Sequence, residues 1–356
     1  MKRVLILAND VTTILQFRCE LVCALVEDGH EVVVSVPKSD RIPEIEALGA
    51  SVVETPVARH GKNPFNDFLL YGKYKKLIKA LKPDILLTFT IKPNVYGGMA
   101  AGRLKVPYVA NVTGLGVVGD GGMMQKLTLF LYKMGLKRAK CVFFQNRANE
   151  EFFRQKKIIR GEAKLLPGSG VNIERFSFLD HPEENPTNIV FVGRIIKDKG
   201  VFELAEAAKR FVGDEDLRFT VVGDVEYGSE NPLAELSNVR CVGFHKDVRP
   251  YLETAHAIVL PSYHEGMANV LLEAAASGRA ILASRIPGCS ETFDEGVTGF
   301  GFEAKNAESL FEAIMKFKSL SYLEKCEMGK AGRRKMEQEF DRQIVVNSYI
   351  EQVKSL

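Results

Sequence analysis

Short apolar runs alternate with longer helical patterns along most of this chain. In the first half, runs rich in β-branched and other apolar residues predict strands at 4–8, 31–36, 51–54, 85–89, 108–112 and 141–145. Between the first two, residues 14–27 predict a helix that ends just before Gly29, where glycine commonly follows a helix. This alternation is typical of α/β units with a parallel sheet.

The alternation breaks between residues 165 and 188, where proline, glycine and asparagine are frequent. It resumes with apolar runs at 189–192, 218–223 and 257–260 and a helical pattern over about 201–211. We therefore predict a first α/β domain over 1–165, a linker over 166–187 and a second α/β domain over 188–335. Residues 336–356 predict a helix that packs back toward the first domain. The cleft between the two domains is the expected ligand site.

Two glutamates flank the start of a predicted helix in the second domain. The strand at 257–260 leads into a turn that contains Glu265, and the helix runs from about 270 to 277, before Gly278. We expect Glu273 about two turns into this helix, roughly 12 Å of helix rise beyond Glu265. Carboxylates accept hydrogen bonds from sugar hydroxyls, and free N–H groups at a helix start suit a diphosphate. The pair fits a nucleotide-sugar, but two solvated helix carboxylates fit the pattern equally well.

A basic turn directly follows the strand at 189–192. Residues 193–200 read GRIIKDKG, and such strand-to-helix turns point at the ligand crevice in doubly wound folds. Arg194 can bind a phosphate through two hydrogen bonds and Lys199 as a point charge, whereas we expect Lys197 to be solvated. An exposed basic loop is the alternative. Because no Asp-x-Asp or His/Asp cluster is evident, we expect a diphosphate to be held without a metal or other cofactor.

Composition narrows the class of protein. The chain has 356 residues, of which 46% are apolar and 26% charged, which is typical of a soluble globular protein of two domains. It opens on a strand rather than on a signal peptide and has no run of eighteen apolar residues, so we expect a cytoplasmic protein. The six cysteines show no metal-ligand spacing, and reduced thiols are expected.

The net charge of the chain is +3, but its charges are unevenly distributed along the sequence. Residues 1–170 carry 26 lysines and arginines against 15 acidic residues, whereas residues 171–356 carry 22 against 30. Two basic helical patterns at 68–82 and 123–140 also contain large apolar residues, which allows contact with an anionic membrane surface. Ordinary packed helices with solvated basic faces are the alternative. The aromatic and basic interleaving used to bind single-stranded nucleic acid is not evident, so no nucleic-acid partner is expected.

Several motifs together resemble the retaining glycosyltransferases of family 4, which share the GT-B fold of two facing Rossmann-like domains. The resemblance rests on the basic turn, the glutamate pair, and the segments GSGVN at 168–172, PSYHEG at 261–266, GR at 278–279 and PGCSET at 287–292. In the first half, the segments FR at 17–18, TIKPNVYG at 90–97 and VTGLG at 112–116 are similar to bacterial enzymes that build surface polysaccharides or lipid-linked oligosaccharides.

The resemblance implies a role for individual donor-side residues. Glu273 would hold the ribose diol, Glu265 a hydroxyl of the donor sugar, and Arg194 and Lys199 the diphosphate. The other donor-side predictions are Gly193, Gly266, Met267, Ala268, Asn269, Val270 and Phe244. Phe244 would lie near the base, and a core position is its alternative.

The acceptor-side predictions are Asn9, Asp10, Thr12, Thr113 and Gly114. The first three lie in a turn, where capping the following helix is the alternative role. Relatives often carry a histidine near the position of Thr113 and Gly114. This chain has none there, so no side chain is assigned as a catalytic base.

The implied activity is transfer of a hexose or N-acetylhexosamine, with retention, from a nucleotide-sugar to a sugar acceptor. The resemblance favours UDP as the nucleotide and a polyprenyl-diphosphate-linked acceptor at the cytoplasmic face of a membrane. The alternatives are a UDP-sugar 2-epimerase on a similar scaffold and a non-catalytic nucleotide-sugar-binding subunit. A dinucleotide-dependent oxidoreductase is disfavoured because residues 8–13 lack the GxGxxG pattern.

Overall fold

A computed structural model describes residues 1–57, 64–114, 123–183 and 185–356, with the side chains of 64–66 and 123–124 also left out. Two residues of the VTGLG motif, Leu115 and Gly116, lie outside the described part. The chain divides into two compact units, one made of Met1–Ser169 with Gln343–Leu356, the other of Gly170–Arg342. The change from one unit to the other at Ser169 falls within the segment predicted as a linker.

The first unit is built on a parallel sheet of seven strands in the order β3-β2-β1-β4-β5-β6-β7. Its strands are β1 Arg3–Leu7, β2 Glu31–Val36, β3 Ser51–Glu54, β4 Ile85–Phe89, β5 Tyr108–Val112, β6 Cys141–Phe144 and β7 Glu162–Leu165. Its helices are α1 Val11–Phe17, α2 Cys19–Glu27, α3 Ile42–Glu46, α4 Pro64–Leu81, α5 Gly98–Leu104, α6 Met123–Leu136 and α7 Arg147–Gln155, with a π-helical turn at Pro93–Gly97. The six predicted strands are confirmed to within one residue at each end, and β7 was not predicted.

The prediction of one continuous helix over 14–27 is wrong, because Arg18 separates α1 from α2. Arg18 has φ −138° and therefore leaves the helical conformation. Its buried guanidinium lies 4.8 Å from the centre of the Phe89 ring and 5.8 Å from that of Tyr349. The break thus places a cation beside two neighbouring aromatic rings in the core, where cation–π attraction is strong.

Apolar layers cover both faces of this sheet, which explains why its strands read as continuous apolar runs. Glycines allow α5 and α6 to approach closely on one face. A Cβ on Gly98 would lie 2.3 Å from the carbonyl oxygen of Gly135, and one on Gly135 would lie 2.6 Å from the Cα of Val95. The π-helical turn is therefore clamped between β4 and α6.

The second unit is built on a parallel sheet of six strands in the order β10-β9-β8-β11-β12-β13. Its strands are β8 Thr187–Val192, β9 Leu217–Val222, β10 Val239–Gly243, β11 Ala257–Leu260, β12 Ala280–Ser284 and β13 Gly299–Phe302. Its helices are α8 Val201–Lys209, α9 Arg249–Glu253, α10 Asn269–Ala276, α11 Ala307–Ser319 and α12 Tyr322–Lys335. In both sheets the strand order reverses beside the first strand, as in Rossmann folds. The α/β prediction with two Rossmann-like units is confirmed.

The C-terminal segment is not one helix from Lys335 onward. A π-helical turn at Met336–Phe340 and the extended residue Asp341 separate α12 from α13, which spans Arg342–Ser355. The interruption lets residues on either side pair with Val171, whose N–H donates to Phe340 O at 2.8 Å and whose carbonyl accepts from the Arg342 N–H at 2.9 Å. Strand-like pairing therefore overrides the helical pattern here.

Candidate functional site

Two loops meet at the carboxyl edge of the second sheet, where β8 and β11 are neighbours. Ligands of doubly wound sheets bind at this reversal of strand order. The Tyr263 N–H, after β11, donates to Asp198 O, after β8, at 2.9 Å. Gly200 has φ +72°, and a Cβ there would lie 2.1 Å from the carbonyl oxygen of Pro261. Glycine is thus required at 200 by both its backbone conformation and the contact between the loops.

The contact between these loops brings Lys199 and Glu265 together. Lys199 Nζ lies 2.5 Å from Glu265 Oε1, and the two side chains keep only 22% and 13% of their exposure. An ammonium has three donors, so a lysine bound to one carboxylate still has donors for a phosphate. The sequence assigned Lys199 to a diphosphate and Glu265 to a sugar hydroxyl, and the structure places these two groups in direct contact.

Glu273 lies one turn into α10 rather than the two turns expected. Because the helix begins at Asn269, Glu273 is four residues, or about 6 Å of rise, from the helix start. Removal of the carboxylate from water raises the pKa of Glu273 to about 7, although Arg342 and Arg175 partly oppose this shift. No described residue donates a hydrogen bond to this carboxylate. A desolvated carboxylate without donors is well suited to receive the two adjacent hydroxyls of a ribose.

The turn before α10 is fixed by a neighbouring loop. The Ala268 N–H donates to Gly288 O at 2.8 Å, so this N–H is already used and is not available to a diphosphate. A Cβ on Gly288 would lie 2.7 Å from the carbonyl oxygen of Gly266, which shows how closely the loops pack. Met267 and Ala268 bury their side chains in the core, and Val270 packs against it. Met267 can therefore contact a ligand through its main-chain atoms but not through its side chain, whereas the Asn269 Oδ1 is buried without a partner.

The ends of β8, β9 and β10 carry the remaining donor-side residues. A Cβ on Gly223 would lie 1.9 Å from the carbonyl oxygen of Gly193, so these two strand ends are in close contact. Arg194 is 64% exposed and its Nη1 lies 2.8 Å from Glu226 Oε2. Phe244 is 68% exposed, which excludes its core alternative, and an exposed ring can stack on a ligand.

The corresponding edge of the first sheet carries the acceptor-side predictions. Asn9 and Asp10 follow β1, and Thr113 and Gly114 follow β5. Asp10 Oδ1 accepts the Thr13 N–H at 2.9 Å and caps α1, the alternative role foreseen for it, and Thr12 lies in the first turn of that helix. Asn9 Oδ1 differs, because it is buried without a hydrogen-bond partner.

Thr90 was not singled out from the sequence, although it opens the TIKPNVYG segment. It follows β4 and has φ +72°, a left-handed conformation that costs a β-branched residue about 1–3 kcal/mol. Its Oγ1 is buried without a partner. The other described non-glycine residues with positive φ are the lysines Lys82, Lys105, Lys157 and Lys305, of which the first three lie at helix ends, where this conformation is common.

A chain of buried hydrogen bonds holds the turn that follows Thr90. Thr88 Oγ1 donates to Asn94 Oδ1 at 2.7 Å, and Asn94 Nδ2 donates to Asn111 O at 2.7 Å. Asn111 Nδ2 in turn donates to the Tyr349 hydroxyl of α13 at 2.6 Å. Burial raises the pKa of Tyr349 to about 12, so its hydroxyl stays protonated. The chain of hydrogen bonds couples the turn after β4 to the C-terminal helix.

A second network braces the same turn from outside. Lys92 Nζ lies 3.0 Å from Asp67 Oδ1, and the Tyr96 hydroxyl donates to Asp67 Oδ2 at 3.0 Å.

Within the described ranges, no three His, Cys, Asp or Glu side chains are grouped to hold a metal ion. All six cysteines are free. None of the helices in the described part is long and apolar enough to span a membrane.

Known proteins with similar sequences point to one family. A family model described as glycosyl transferase 4-like matches residues 3–146, and one described as glycosyl transferases group 1 matches residues 186–318. The N,N'-diacetylbacillosaminyl-diphospho-undecaprenol alpha-1,3-N-acetylgalactosaminyltransferase of Campylobacter jejuni is 29% identical over 334 residues, which are 88% of each chain. The UDP-Gal:alpha-D-GlcNAc-diphosphoundecaprenol alpha-1,3-galactosyltransferase of Escherichia coli is 25% identical over 264 residues, 68% of each chain.

Solved structures show the same fold over the whole chain. HepE from Anabaena, in complex with UDP and glucose, matches with a TM-score of 0.82 at 17% identity and full coverage of both chains. A glycosyltransferase from Rickettsia africae matches with a TM-score of 0.83 at 19% identity, covering 99% of this chain and 98% of its own. Since the two family models account for both Rossmann-like units, the chain belongs to the family 4 glycosyltransferases with the GT-B fold.

Proposed function

We propose that the protein transfers a hexose or N-acetylhexosamine from a UDP-sugar to a sugar carried on polyprenyl diphosphate, with retention of configuration, during assembly of a surface polysaccharide or glycan. The observation that carries the donor half is Glu273, a desolvated carboxylate without a described donor on the helix that follows the Lys199–Glu265 pair. The acceptor half is supported by the relatives from Campylobacter jejuni and Escherichia coli, both of which are named for acceptors linked to diphospho-undecaprenol.

The residues of the second unit suit departure of a nucleoside diphosphate. In the proposed reaction the bond between the anomeric carbon and the diphosphate oxygen breaks, and the acceptor hydroxyl adds to the same face of the sugar. Its proton passes to the departing phosphate oxygen, so no enzymatic base is needed. Lys199 stabilises the growing negative charge on the diphosphate, and Glu265 holds Lys199 in position while its other oxygen accepts a sugar hydroxyl.

Release of UDP from a panel of UDP-sugars tests this function. The assay supplies a synthetic sugar-diphospho-polyprenol as acceptor and identifies the product by mass spectrometry and by the configuration of the new linkage. Glu273→Ala and Lys199→Ala should each reduce turnover by at least 100-fold, because they remove the ribose partner and the leaving-group cation. Lys197→Ala, an exposed charge in the same turn, should change turnover less than twofold. EDTA should leave the rate unchanged.

The competing functions give different products. Rapid formation of an epimeric UDP-sugar without acceptor would replace the transferase proposal by a 2-epimerase. UDP-sugar binding without any turnover on the acceptor panel would favour a non-catalytic subunit. Equal activity of the Lys199 and Lys197 variants would overturn the site assignment.

We also propose that α4 and α6 bring the first unit to an anionic membrane surface. Phe68 on α4 is 71% exposed and Phe130 on α6 is 57% exposed, and both helices cover the same face of the sheet. Lys73 and Lys76 on α4, with Lys133 on α6, are also exposed. Large apolar side chains beside lysines favour binding to negatively charged lipid interfaces.

Sedimentation with lipid vesicles tests this surface. Binding to vesicles containing 30% phosphatidylglycerol should exceed binding to pure phosphatidylcholine, and Phe130→Ser with Phe68→Ser should weaken it at least tenfold. Leu323→Ser is the matched control, since Leu323 is 74% exposed but lies in the second unit. Equal loss in the control, or no lipid preference, would contradict the proposal.

A further inference from the structure

We propose that Asn9 and Thr90, at the strand reversal of the first sheet, bind the non-reducing sugar of the acceptor. This inference rests on the proposed function and names the part of the acceptor that the first unit recognises. The ligand would be a pyranose whose hydroxyl or acetamido N–H groups act as hydrogen-bond donors.

The two residues follow neighbouring strands at an edge of the sheet suited to ligands. Asn9 follows β1 and Thr90 follows β4, and these neighbouring strands pair in parallel with Leu7 opposite Thr88. This is the position at which the strand order reverses from β2-β1 to β4-β5. Ligands of doubly wound sheets bind outside the carboxyl ends of the strands at such a point.

Both residues present an oxygen that the described protein leaves unsatisfied. Asn9 Oδ1 and Thr90 Oγ1 are each buried, and neither has a hydrogen-bond partner. Buried polar atoms in native proteins are nearly always paired, so two orphans on adjacent strand ends indicate a missing ligand group. Both oxygens can accept, and sugar hydroxyls and acetamido N–H groups can donate to them.

The backbone of Thr90 supports a ligand rather than a folding role. Glycine or asparagine adopts φ +72° at lower cost than a β-branched residue. The hydroxyl does not stabilise the turn either, because it has no hydrogen-bond partner among the described residues. Strained residues persist where the surrounding structure imposes them, and here the Thr88–Asn94–Asn111 hydrogen bonds hold the turn.

Asp10, one residue after Asn9, provides an internal comparison. Its carboxylate is occupied in capping α1, with Oδ1 accepting the Thr13 N–H at 2.9 Å. The turn after β1 therefore holds one polar side chain used for folding and one that lacks a partner. The structure assigns ligand contact to Asn9.

Steady-state kinetics with separately varied donor and acceptor test the inference. Thr90→Val keeps the shape and backbone strain but removes the hydroxyl, and Asn9→Ala removes the amide oxygen. Each should raise the KM for the sugar-diphospho-polyprenol acceptor at least tenfold and leave the KM for the UDP-sugar within twofold. Lys105→Gly is the matched control, because Lys105 also has positive φ but lies at the end of α5, and it should change neither constant.

A binding measurement separates this inference from the proposed function. Saturation-transfer NMR with methyl glycosides of N-acetylglucosamine and N-acetylgalactosamine should detect binding to the wild type and its loss in Thr90→Val. This readout needs no turnover, so inactivity on lipid-linked acceptors would overturn the proposed function while leaving the sugar site testable.

Three results would overturn the sugar site. An equal rise in both KM values would place the two oxygens at the donor. Unchanged kinetics in both variants would show that neither oxygen contacts a ligand. Glycoside binding that persists in Thr90→Val would show that the hydroxyl is not a contact. Thermal unfolding confirms that each variant is folded, and Thr90→Gly, which relieves the strain, should unfold no earlier than the wild type while losing the same acceptor affinity.

Discussion

Replacing Glu273 by glutamine should stabilise the ligand-free protein at alkaline pH while abolishing binding of UDP. The carboxyl has an ordinary pKa of 4.5, and its surroundings raise the pKa of Glu273 to about 7. Below pH 4.5 it is protonated in both the folded and unfolded chains and contributes no penalty. Between pH 4.5 and about 7 the unfolded chain holds fewer protons than the folded one, so the free energy of unfolding falls across this range and then levels off.

The size of this effect follows from the two pKa values. Above pH 7 the ionised carboxylate lowers the free energy of unfolding by about 3 kcal/mol, and at pH 5 by less than about 1 kcal/mol. A half-buried glutamine amide without partners offsets part of the gain, by about 1 kcal/mol. The net gain for Glu273→Gln is then about 2 kcal/mol at pH 8, or roughly 4–8 °C in the Tm of a unit of this size, and close to zero at pH 5.

Differential scanning calorimetry of wild type and variant at pH 5 and pH 8 measures this difference. Calorimetry is preferable to fluorescence because the chain has no tryptophan and because it can resolve the two units. Glu235→Gln, an exposed carboxylate in the same unit, should give no shift at either pH. Saturating UDP should raise the Tm of the wild type but not of Glu273→Gln.

Two outcomes would refute the reasoning about Glu273. An equal Tm shift at both pH values would show that the carboxyl is not the titrating group. A lower Tm at pH 8 would show that the carboxylate has a stabilising partner in the folded protein. Either result would remove the argument that this side chain is kept desolvated for a ligand.

Three further changes have defined expectations. Binding of UDP near pH 7 should release up to about half a proton from Glu273, seen as a binding enthalpy that depends on the buffer, and the release should vanish in Glu273→Gln. Gly200→Ala should lower the free energy of unfolding by more than about 2 kcal/mol. Gly213→Ala, whose Cβ would meet no atom within 4 Å, should lower it by about 1 kcal/mol. Equal losses in the two variants would argue against the loop contact. Tyr349→Phe should cost about 1–3 kcal/mol because it leaves the Asn111 amide unpaired, and an unchanged Tm would contradict this.

Burial on both faces of a sheet makes most strands readable from the sequence, although the edge strand β3 was also predicted. Strands such as β4 and β11 are entirely buried and appear as unbroken apolar runs. The strands β7, β10 and β13 are at sheet edges, and their sequences EAKL, VRCVG and GFGF carry polar residues or glycines that hide the pattern. The central strand β12 is apolar, but its alanines and serine have low strand propensity.

The residues of the candidate site were likewise only partly predictable from the sequence. Residue types and loop positions predicted Lys199, Glu265 and Glu273, because charged groups after parallel strands are visible in a sequence. The sequence did not reveal that Lys199 and Glu265 touch, since 66 residues separate them. It also could not reveal the conformation of Thr90, because a left-handed threonine results from packing around it and not from its own preference.

The first unit is interrupted in sequence, since it combines Met1–Ser169 with Gln343–Leu356. The centre of the Tyr349 ring lies 4.7 Å from that of the Phe143 ring and 5.6 Å from that of the Phe89 ring, so α13 fills a gap in the core. A ribosome adding about 5–20 residues per second makes the continuous second unit before it makes α13. During those seconds the sheet of the first unit exposes an apolar face, so the nascent chain should need protection by a chaperone until its last helix has been synthesised.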